Sequence, residues 1–355
     1  MDLTKVTENN TEFYVHKDTN SDKKDLVFYN PSAKHSRDIA VMVSRALRPR
    51  TISDLNTGSG AMSLRLANSI NTDKINLIDI NPNALELTKK NFELNGISNY
   101  NILNLDSRKE DIPDSKLKLI DPFGSPANYF KNALKTTKEG DVYSLKSTDL
   151  GVLSGRYPNK SNKMYGFKIY KNSAPRETAI RALLYFAERE ANKYKFSIEA
   201  LFSYATNYYI HSFIKIVPFR AHKELWFNYC NSCRNSELGL KKDTCKCGSQ
   251  YLSTPLYSNG KSSPAFIKKM HSNFWRDLEH NFYNKKECSA ELTRAENNHF
   301  FKHIYDIPKI CKKYSLIVPP REHLQKCGIA LPFDKNSITS HLSLAKLLKL
   351  IANSK

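Results

Sequence analysis

Asp121-Pro122-Phe123-Gly124-Ser125-Pro126 follows directly on the apolar run Leu117, Leu119 and Ile120. A carboxylate, a proline and an aromatic at the end of a buried strand can grip a planar base that bears an amine. The carboxylate and the neighbouring carbonyls accept the amine's protons while Phe123 offers a stacking face. Taken alone, the hexapeptide also suits a tight turn that closes a strand. A second chemical grouping lies far downstream, where Cys230-x-x-Cys233 is followed after eleven residues by Cys245-x-Cys247-Gly248. Two thiolate pairs on a short hairpin suit a tetrahedral structural zinc, with Lys242 and Lys246 tempering the negative charge. The second pair is one residue tighter than the usual spacing.

The elements that would position the hexapeptide begin at Thr51-Ile52-Ser53-Asp54-Leu55-Asn56-Thr57-Gly58-Ser59-Gly60, a strand running into a Gly-rich turn. The helical stretch Ala61 to Ile70 comes next. Glycines there let the backbone approach a ligand, and the first helical turn presents unpaired N–H groups. A second strand, Ile75 to Asp79, ends in an acid about twenty residues on, where nucleotide-binding folds place an acceptor for ribose hydroxyls. Ser63 stands where a dinucleotide fingerprint would have its third glycine. A ligand with a ribose and no pyrophosphate, such as S-adenosylmethionine, fits better. Asp54, Asp79 and Asp106 fall at successive strand ends.

From about Ile52 to Tyr194 strand-like and helical segments alternate, the pattern of a parallel sheet covered on both faces. Asn81-Pro82 opens one helix and Asn95-Gly96 closes it. Further strands are predicted over Tyr100–Leu105, Lys116–Ile120 and Asp141–Leu145, and a long helix over Arg176–Tyr194. Two strands around Asn207 then fill Ile198–Val217. A polar arm precedes all of this. Pro218 marks a boundary, giving a first domain over 1–218 and a second over 219–355. In the last third, Ile304–Tyr314, Arg321–Cys327 and Ser337–Leu350 read as short helices, and Cys288, Cys311 and Cys327 as small core residues.

The 355 residues carry 55 Lys and Arg against 35 Asp and Glu, a net charge of +20. So cationic a surface points to phosphate-rich nucleic acid. The charge is uneven: residues 219–355 hold 23 basic against 11 acidic residues, a net of +12. Seven cysteines, four of them clustered, suit a metal site in a reducing compartment better than a disulfide framework. Met1 to Asn10 lacks the apolar segment of a secretory signal, and no stretch approaches a membrane span, so an intracellular, cytoplasmic protein is expected. There is no Gly-x-Ser-x-Gly elbow, phosphate-binding loop or His-Glu metal helix, which argues against a hydrolase, ATPase or metalloprotease.

Taken together, the chain resembles the tRNA (guanine-26 N2) dimethyltransferases of archaea and eukaryotes. Phe28-Tyr29-Asn30-Pro31 with Arg37-Asp38 resembles that family's N-terminal block, and Asp121 to Pro126 its catalytic motif. Thr148-Asp149 with Leu153-Ser154-Gly155 resembles a further loop, and Glu177 with Arg181 a pair on the following helix. The likeness is strong to Val217 and weaker beyond it. It implies a Rossmann-like α/β S-adenosylmethionine-dependent methyltransferase domain followed by a smaller, basic, zinc-containing α+β domain that binds tRNA. It also implies that Phe28, Arg37, Asp54, Gly58, Gly60, Asp79 and Asp106 serve the cofactor, and that Asp121, Pro122 and Phe123 serve catalysis. Cys230, Cys233, Cys245 and Cys247 would match the zinc element some members carry. No obligate protein partner is implied. Two departures stand out: Met62 replaces a common cofactor-contacting arginine, and Thr57-Gly58-Ser59 replaces a turn often written Ser-Ala-Ser. An amino-group methyltransferase of DNA or protein would share the acid-proline-aromatic motif but leave the Phe28–Asp38 block and the basic cysteine-bearing half unexplained. A non-catalytic RNA-binding protein would explain the charge and tolerate Met62.

Overall fold

The computed structural model describes residues 3–17, 27–221, 223–277, 280–296 and 302–354. The polar arm contains a hairpin, β1 (Leu3–Glu8) and β2 (Thr11–His16), turned at Asn9, whose φ is +55°. Helix α1 (Lys34–Leu47) follows, and then the predicted alternation: β3 (Thr51–Asp54), α2 (Ala61–Ala67), β4 (Lys74–Asp79), α3 (Pro82–Leu94) and β5 (Tyr100–Asn104). It continues through β6 (Leu117–Ile120), α4 (Ala127–Ala133), β7 (Val142–Ser147), α5 (Leu150–Leu153), α6 (Pro158–Tyr165), α7 (Pro175–Asn192), β8 (Phe196–Ala205) and β9 (Ile210–Pro218).

These strands form one seven-stranded sheet in the order β5-β4-β3-β6-β7-β9-β8, parallel except for β9, which runs against both neighbours. Asn81 caps α3 as its sequence suggests, accepting the Asn83 N–H, with Pro82 in the first turn. Central strands sit between helical layers and are buried along their length. Even Lys118 in β6 is buried there, its ammonium 3.0 Å from Asp141 Oδ2 and 2.8 Å from the Ser115 carbonyl.

After Pro218 come β10 (Leu225–Tyr229), β11 (Ser236–Gly239) and β12 (Leu252–Leu256), a small sheet ordered β11-β10-β12. Helices α8 (Pro264–Arg276) and α9 (Lys285–Glu296) return to pack on α1 and β8. The main core therefore runs past residue 218, taking in Phe227, Leu256, Phe266, Met270, Cys288 and Leu292. The chain ends with β13 (His303–Asp306), α10 (Ile307–Lys313), α11 (Arg321–Cys327), β14 (Ile329–Ala330), β15 (Ser337–Ser340) and α12 (Leu344–Ala352).

Two stretches read as wholly helical thus begin as strands. His303–Asp306 and Ser337–Ser340 pair antiparallel with each other, and Asp306 then caps α10 by accepting the Lys309 N–H. Tyr305, Ile307, Cys311, Cys327, Ile338 and Leu347 form a second, smaller core around them. Cys288, Cys311 and Cys327 are buried, as small core residues should be. Among the described residues no helix is long and apolar enough to cross a membrane.

Candidate active site and cysteine cluster

The acids at the strand ends share one edge of the sheet. Asp54 closes β3, Asp79 closes β4, Asp106 follows β5 and Asp121 follows β6, all at the carboxyl ends of parallel strands, where open α/β sheets bind ligands. Between β3 and α2 the Gly-rich turn needs its glycines. Gly58 and Gly60 have φ of +56° and +77°, and a Cβ on Gly60 would come within 2.9 Å of Thr88 Cγ2.

The turn is held from several sides. The Gly58 N–H donates to Asp79 Oδ2 at 2.9 Å, and Thr88 Oγ1 donates to the Gly58 carbonyl at 3.0 Å. Asn91 of α3 donates to the carbonyls of both Ser59 and Tyr14, tying the turn to the N-terminal hairpin. Asp79 also accepts the Asn81 N–H at 2.9 Å. Ser63, in the place of a third glycine, donates its hydroxyl to Asp54 at 2.8 Å. Burial pushes the Asp54 carboxyl up to about 7, with nearby Asp121 and Asp79 acting in the same direction. Asp106 is engaged differently. Both its oxygens accept from Arg108, at 2.7 and 2.8 Å, and these bonds hold its carboxyl down to about 2.

The catalytic-motif residues divide by exposure. Pro122 is buried, whereas Phe123 is 57% exposed and meets Phe28 edge to face, with ring centroids 4.3 Å apart. The Phe28 carbonyl in turn lies against Gly58, 3.4 Å from where a Cβ would sit. Phe28, the glycine turn and Phe123 are therefore one assembly. Gly124, with φ +90°, is stapled to the end of β7: its N–H donates to Thr148 Oγ1 at 2.8 Å and its carbonyl accepts the Thr148 N–H at 3.0 Å.

Asp121 Oδ2 accepts from Lys146 Nζ at 2.8 Å, and that ammonium also lies 4.8 Å from the Tyr209 ring centroid. The Lys146 side chain is only 6% exposed. Sequence reading passes over this lysine; its one signal is a lone cation inside the apolar strand β7.

Arg37 is engaged within the protein. Its guanidinium forks onto Glu8 of the hairpin, Nε to Oε2 at 2.9 Å and Nη2 to Oε1 at 2.5 Å, and donates to the Asn30 carbonyl at 3.1 Å. Glu8 also accepts from Arg65, which reaches Asp38 at 2.6 Å and the Phe282 carbonyl at 2.6 Å. Asp38 accepts the Asn284 N–H at 3.0 Å. Burial opposes charge on Glu8, yet the Arg37 bonds prevail and its carboxyl stays below the usual carboxylate range. This buried cluster ties β1, α1 and α2 to the segment before α9. Sequence offers no hint of it, because its bonded partners lie up to 246 residues apart.

Glu177 and Arg181 are likewise buried, in α7. Glu177 Oε1 lies 3.3 Å from Arg181 Nε and 3.2 Å from Lys261 Nζ, while Arg181 donates to the carbonyls of Tyr257 and Asn259. The Glu177 N–H donates to Asp334 at 2.8 Å. The pair therefore fastens the first half of the chain to the second.

At the far end of β10 the four expected cysteines converge, with all four Sγ atoms within 4.8 Å of one another. Cys230 and Cys247 sulfurs are 3.5 Å apart and those of Cys233 and Cys245 are 3.6 Å apart. A tetrahedral zinc with ~2.3 Å bonds sets sulfur–sulfur edges of ~3.8 Å. Donor type, number and spacing all fit that ion. Two tight turns shape the set: the Arg234 N–H donates to the Cys230 carbonyl and the Gly248 N–H to that of Cys245, both at 2.9 Å.

The strand order, the glycine turn and the acids at the strand ends define a Rossmann-like methyltransferase domain of the S-adenosylmethionine-dependent class. A sequence model of the family "N2,N2-dimethylguanosine tRNA methyltransferase" matches residues 6–343, and the chain belongs to that family. It is 29% identical over 341 residues to the tRNA (guanine(26)-N(2))-dimethyltransferase of Methanococcus aeolicus, covering 89% of this chain and 87% of that one. It is 30% identical over 328 residues to the Methanosphaera stadtmanae enzyme of the same name, covering 82% and 80%. The structure of Trm1 from Pyrococcus horikoshii with S-adenosyl-L-methionine superposes with a TM-score of 0.84 at 20% identity, covering 98% of this chain and all of that one.

Proposed function

We propose that this protein transfers methyl groups to the exocyclic N2 amine of guanine 26 in tRNA, giving N2-methyl- and then N2,N2-dimethylguanosine. The observation that carries the reading is the loop after β6, where an anchored carboxylate and an exposed Phe123 stand beside Phe28 and the glycine turn. The donor set on that edge suits S-adenosylmethionine. In this reading Asp79 accepts from the ribose hydroxyls, Asp106 lies by the adenine, and Gly58 and Gly60 let the backbone approach closely. Phe28 supplies an apolar wall. Asp54 sets the turn from behind through Ser63, and Arg37 acts through Glu8 and Asn30 on the loop that carries Phe28. When bound, S-adenosylmethionine would supply an electrophilic methyl on a sulfonium, whose S–CH3 bond breaks to leave a neutral thioether.

The chain's own residues orient the acceptor. The guanine amine is a poor nucleophile because its lone pair is delocalised into the ring. Lys146 holds Asp121 Oδ2, which leaves Oδ1 to accept one N2–H, and the Pro122 carbonyl accepts the other, turning the lone pair out of conjugation. As nitrogen gains carbon, its surplus proton passes toward Asp121 and on to water. Phe123 stacks on the base. Positioning of this kind is worth about 7–11 kcal/mol in the best intramolecular systems. Drawing the base from its stack costs a few kcal/mol, offset by phosphate contacts from the basic residues 219–355, the tRNA-binding part of this reading. Zinc on the four cysteines is structural, and the working compartment is the cytoplasm.

The test is incubation of the protein with labelled S-adenosylmethionine and unmodified tRNA, followed by nucleoside analysis. Label is expected in N2-methylated guanosine, absent from a tRNA with adenine at position 26, and reduced about 100-fold or more in Asp121→Ala. Near-normal turnover by Asp121→Ala would remove the catalytic assignment. Label appearing only in DNA or protein would redirect the substrate.

A further inference from the structure

A cavity of about 370 Å³ lies where the two halves of the chain meet, lined by Lys171, Asn172, Tyr229, Asn231, Arg234 and Lys309. Three cations converge on it from three separate segments, and among the described lining residues there is no carboxylate. Lys171 belongs to the loop between α6 and α7. That loop is fixed against the second half, since the Tyr170 N–H donates to Thr254 Oγ1 at 3.0 Å and Ser173 Oγ to the Ile304 carbonyl at 2.7 Å. Lys309 stands on α10, paired with Asp306 outside the lining. Arg234 follows Cys233 directly.

The position of Arg234 is dictated by the cysteine cluster. Its backbone adopts φ +63° and its N–H closes the turn onto the Cys230 carbonyl. Its Nη1 lies 3.2 Å from Asn231 Oδ1 and 3.5 Å from the Tyr229 hydroxyl, a weak hold for a guanidinium that can fork onto a stronger acceptor. Tyr314, just past α10, donates its hydroxyl to the Cys233 carbonyl at 2.9 Å, which locks the wall carrying Lys309 to the same turn. Two lysines and an arginine, with two amides and a phenol among them, are recognition chemistry for a phosphodiester.

We propose that this cavity seats a backbone phosphate of the RNA substrate, and that the metal-binding turn of Cys230 and Cys233 builds it by setting Arg234. The proposal rests on the reading of the protein as a tRNA methyltransferase. Lys171 is carried by the catalytic half and Arg234 by the cysteine half. One seated phosphate would therefore fix both halves on the same RNA and set the register in which guanine 26 meets Phe123.

The experiment measures binding of an unmodified tRNA transcript to the full-length, zinc-loaded protein across about 50–300 mM salt. Wild type is compared with Lys171→Ala/Arg234→Ala and with the charge-keeping Lys171→Arg/Arg234→Lys. Zinc content and S-adenosylmethionine binding are measured on each. The alanine pair is expected to lower the slope of log affinity against log salt by about two, with both controls unchanged, and the charge-keeping pair to restore most of it. An unchanged slope in the alanine pair with intact zinc and cofactor binding overturns the proposal. So does calorimetric binding of inorganic phosphate that is lost in the pair while the tRNA slope stays the same, since the seat would then serve a free anion. A lowered slope in the alanine pair, with a wild type that binds tRNA yet methylates nothing, would sink the methyltransferase reading and leave the phosphate seat standing. Wild type with no affinity for tRNA would sink both.

Discussion

Lys146 holds the carboxylate proposed for catalysis, that of Asp121. It is pinned between Tyr209 and Asp121, so it restricts the Asp121 side chain without competing for the substrate amine. Lys146→Met should lower kcat about tenfold or more while leaving S-adenosylmethionine affinity unchanged, and Lys146→Arg should recover part of the loss; steady-state kinetics separate the two parameters. Asp54 makes the converse point. Its folded carboxyl titrates near 7, above the ordinary 3.8, because of burial. Between those values the unfolded chain is ionised while the folded chain keeps its proton, so stability falls as pH rises from about 4 to about 7. Asp54→Asn should remove a slope on the order of 4 kcal/mol across that window, read from urea midpoints at several pH values. The part due to Asp334, whose carboxyl burial also raises to about 6, should remain. Residues adjacent in sequence to a strand end, such as Asp79, Asp121 and Phe123, were legible because strand and turn chemistry are local. Lys146 was not, because its partner sits on a neighbouring strand 25 residues away.

Elements declared themselves according to how much of their stability is their own. The strands from β3 to β9 and the helix α7 belong to a regular alternation of strand and helix along the chain, and they lie within a few residues of their sequence-predicted limits. Four-residue strands such as β13 and β15 exist only because they pair with each other, so helical spacing around them misled. The N-terminal hairpin was read as a polar arm, since the burial that justifies Glu8 comes from Arg37 and Arg65 on other elements. The same reasoning assigns a structural role to the matched pair on α7. Glu177 faces Arg181 and the buried Lys261 together. Glu177→Gln should therefore destabilise the protein by roughly 3–5 kcal/mol in urea unfolding, by leaving buried cations without their carboxylate. A surface role would leave the midpoint unmoved.

Across the whole molecule, the excess of positive charge was legible from composition, but its arrangement was not. Lys171, Arg234 and Lys309 converge only once the two halves are docked. The cysteine spacing announced a metal site, and the structure adds what depends on it. Stripping zinc with a chelator should abolish hydrogen-exchange protection around residues 229–251 while the seven-stranded sheet stays protected. Uniform loss of protection would instead make the metal a keystone of the entire fold. The cluster of Glu8, Arg37, Arg65 and Asp38 bears on the order of biosynthesis. Glu8 precedes the Phe282 carbonyl and the Asn284 amide that complete the cluster by more than 270 residues, so they are made long after it. A segment ending before Phe282 would contain the glycine turn and the Asp121 loop, and its Arg65 would keep Glu8 and Asp38 but lose the Phe282 carbonyl. The buried charge cluster is therefore closed only when residues 282–284 have docked against α1 and α2.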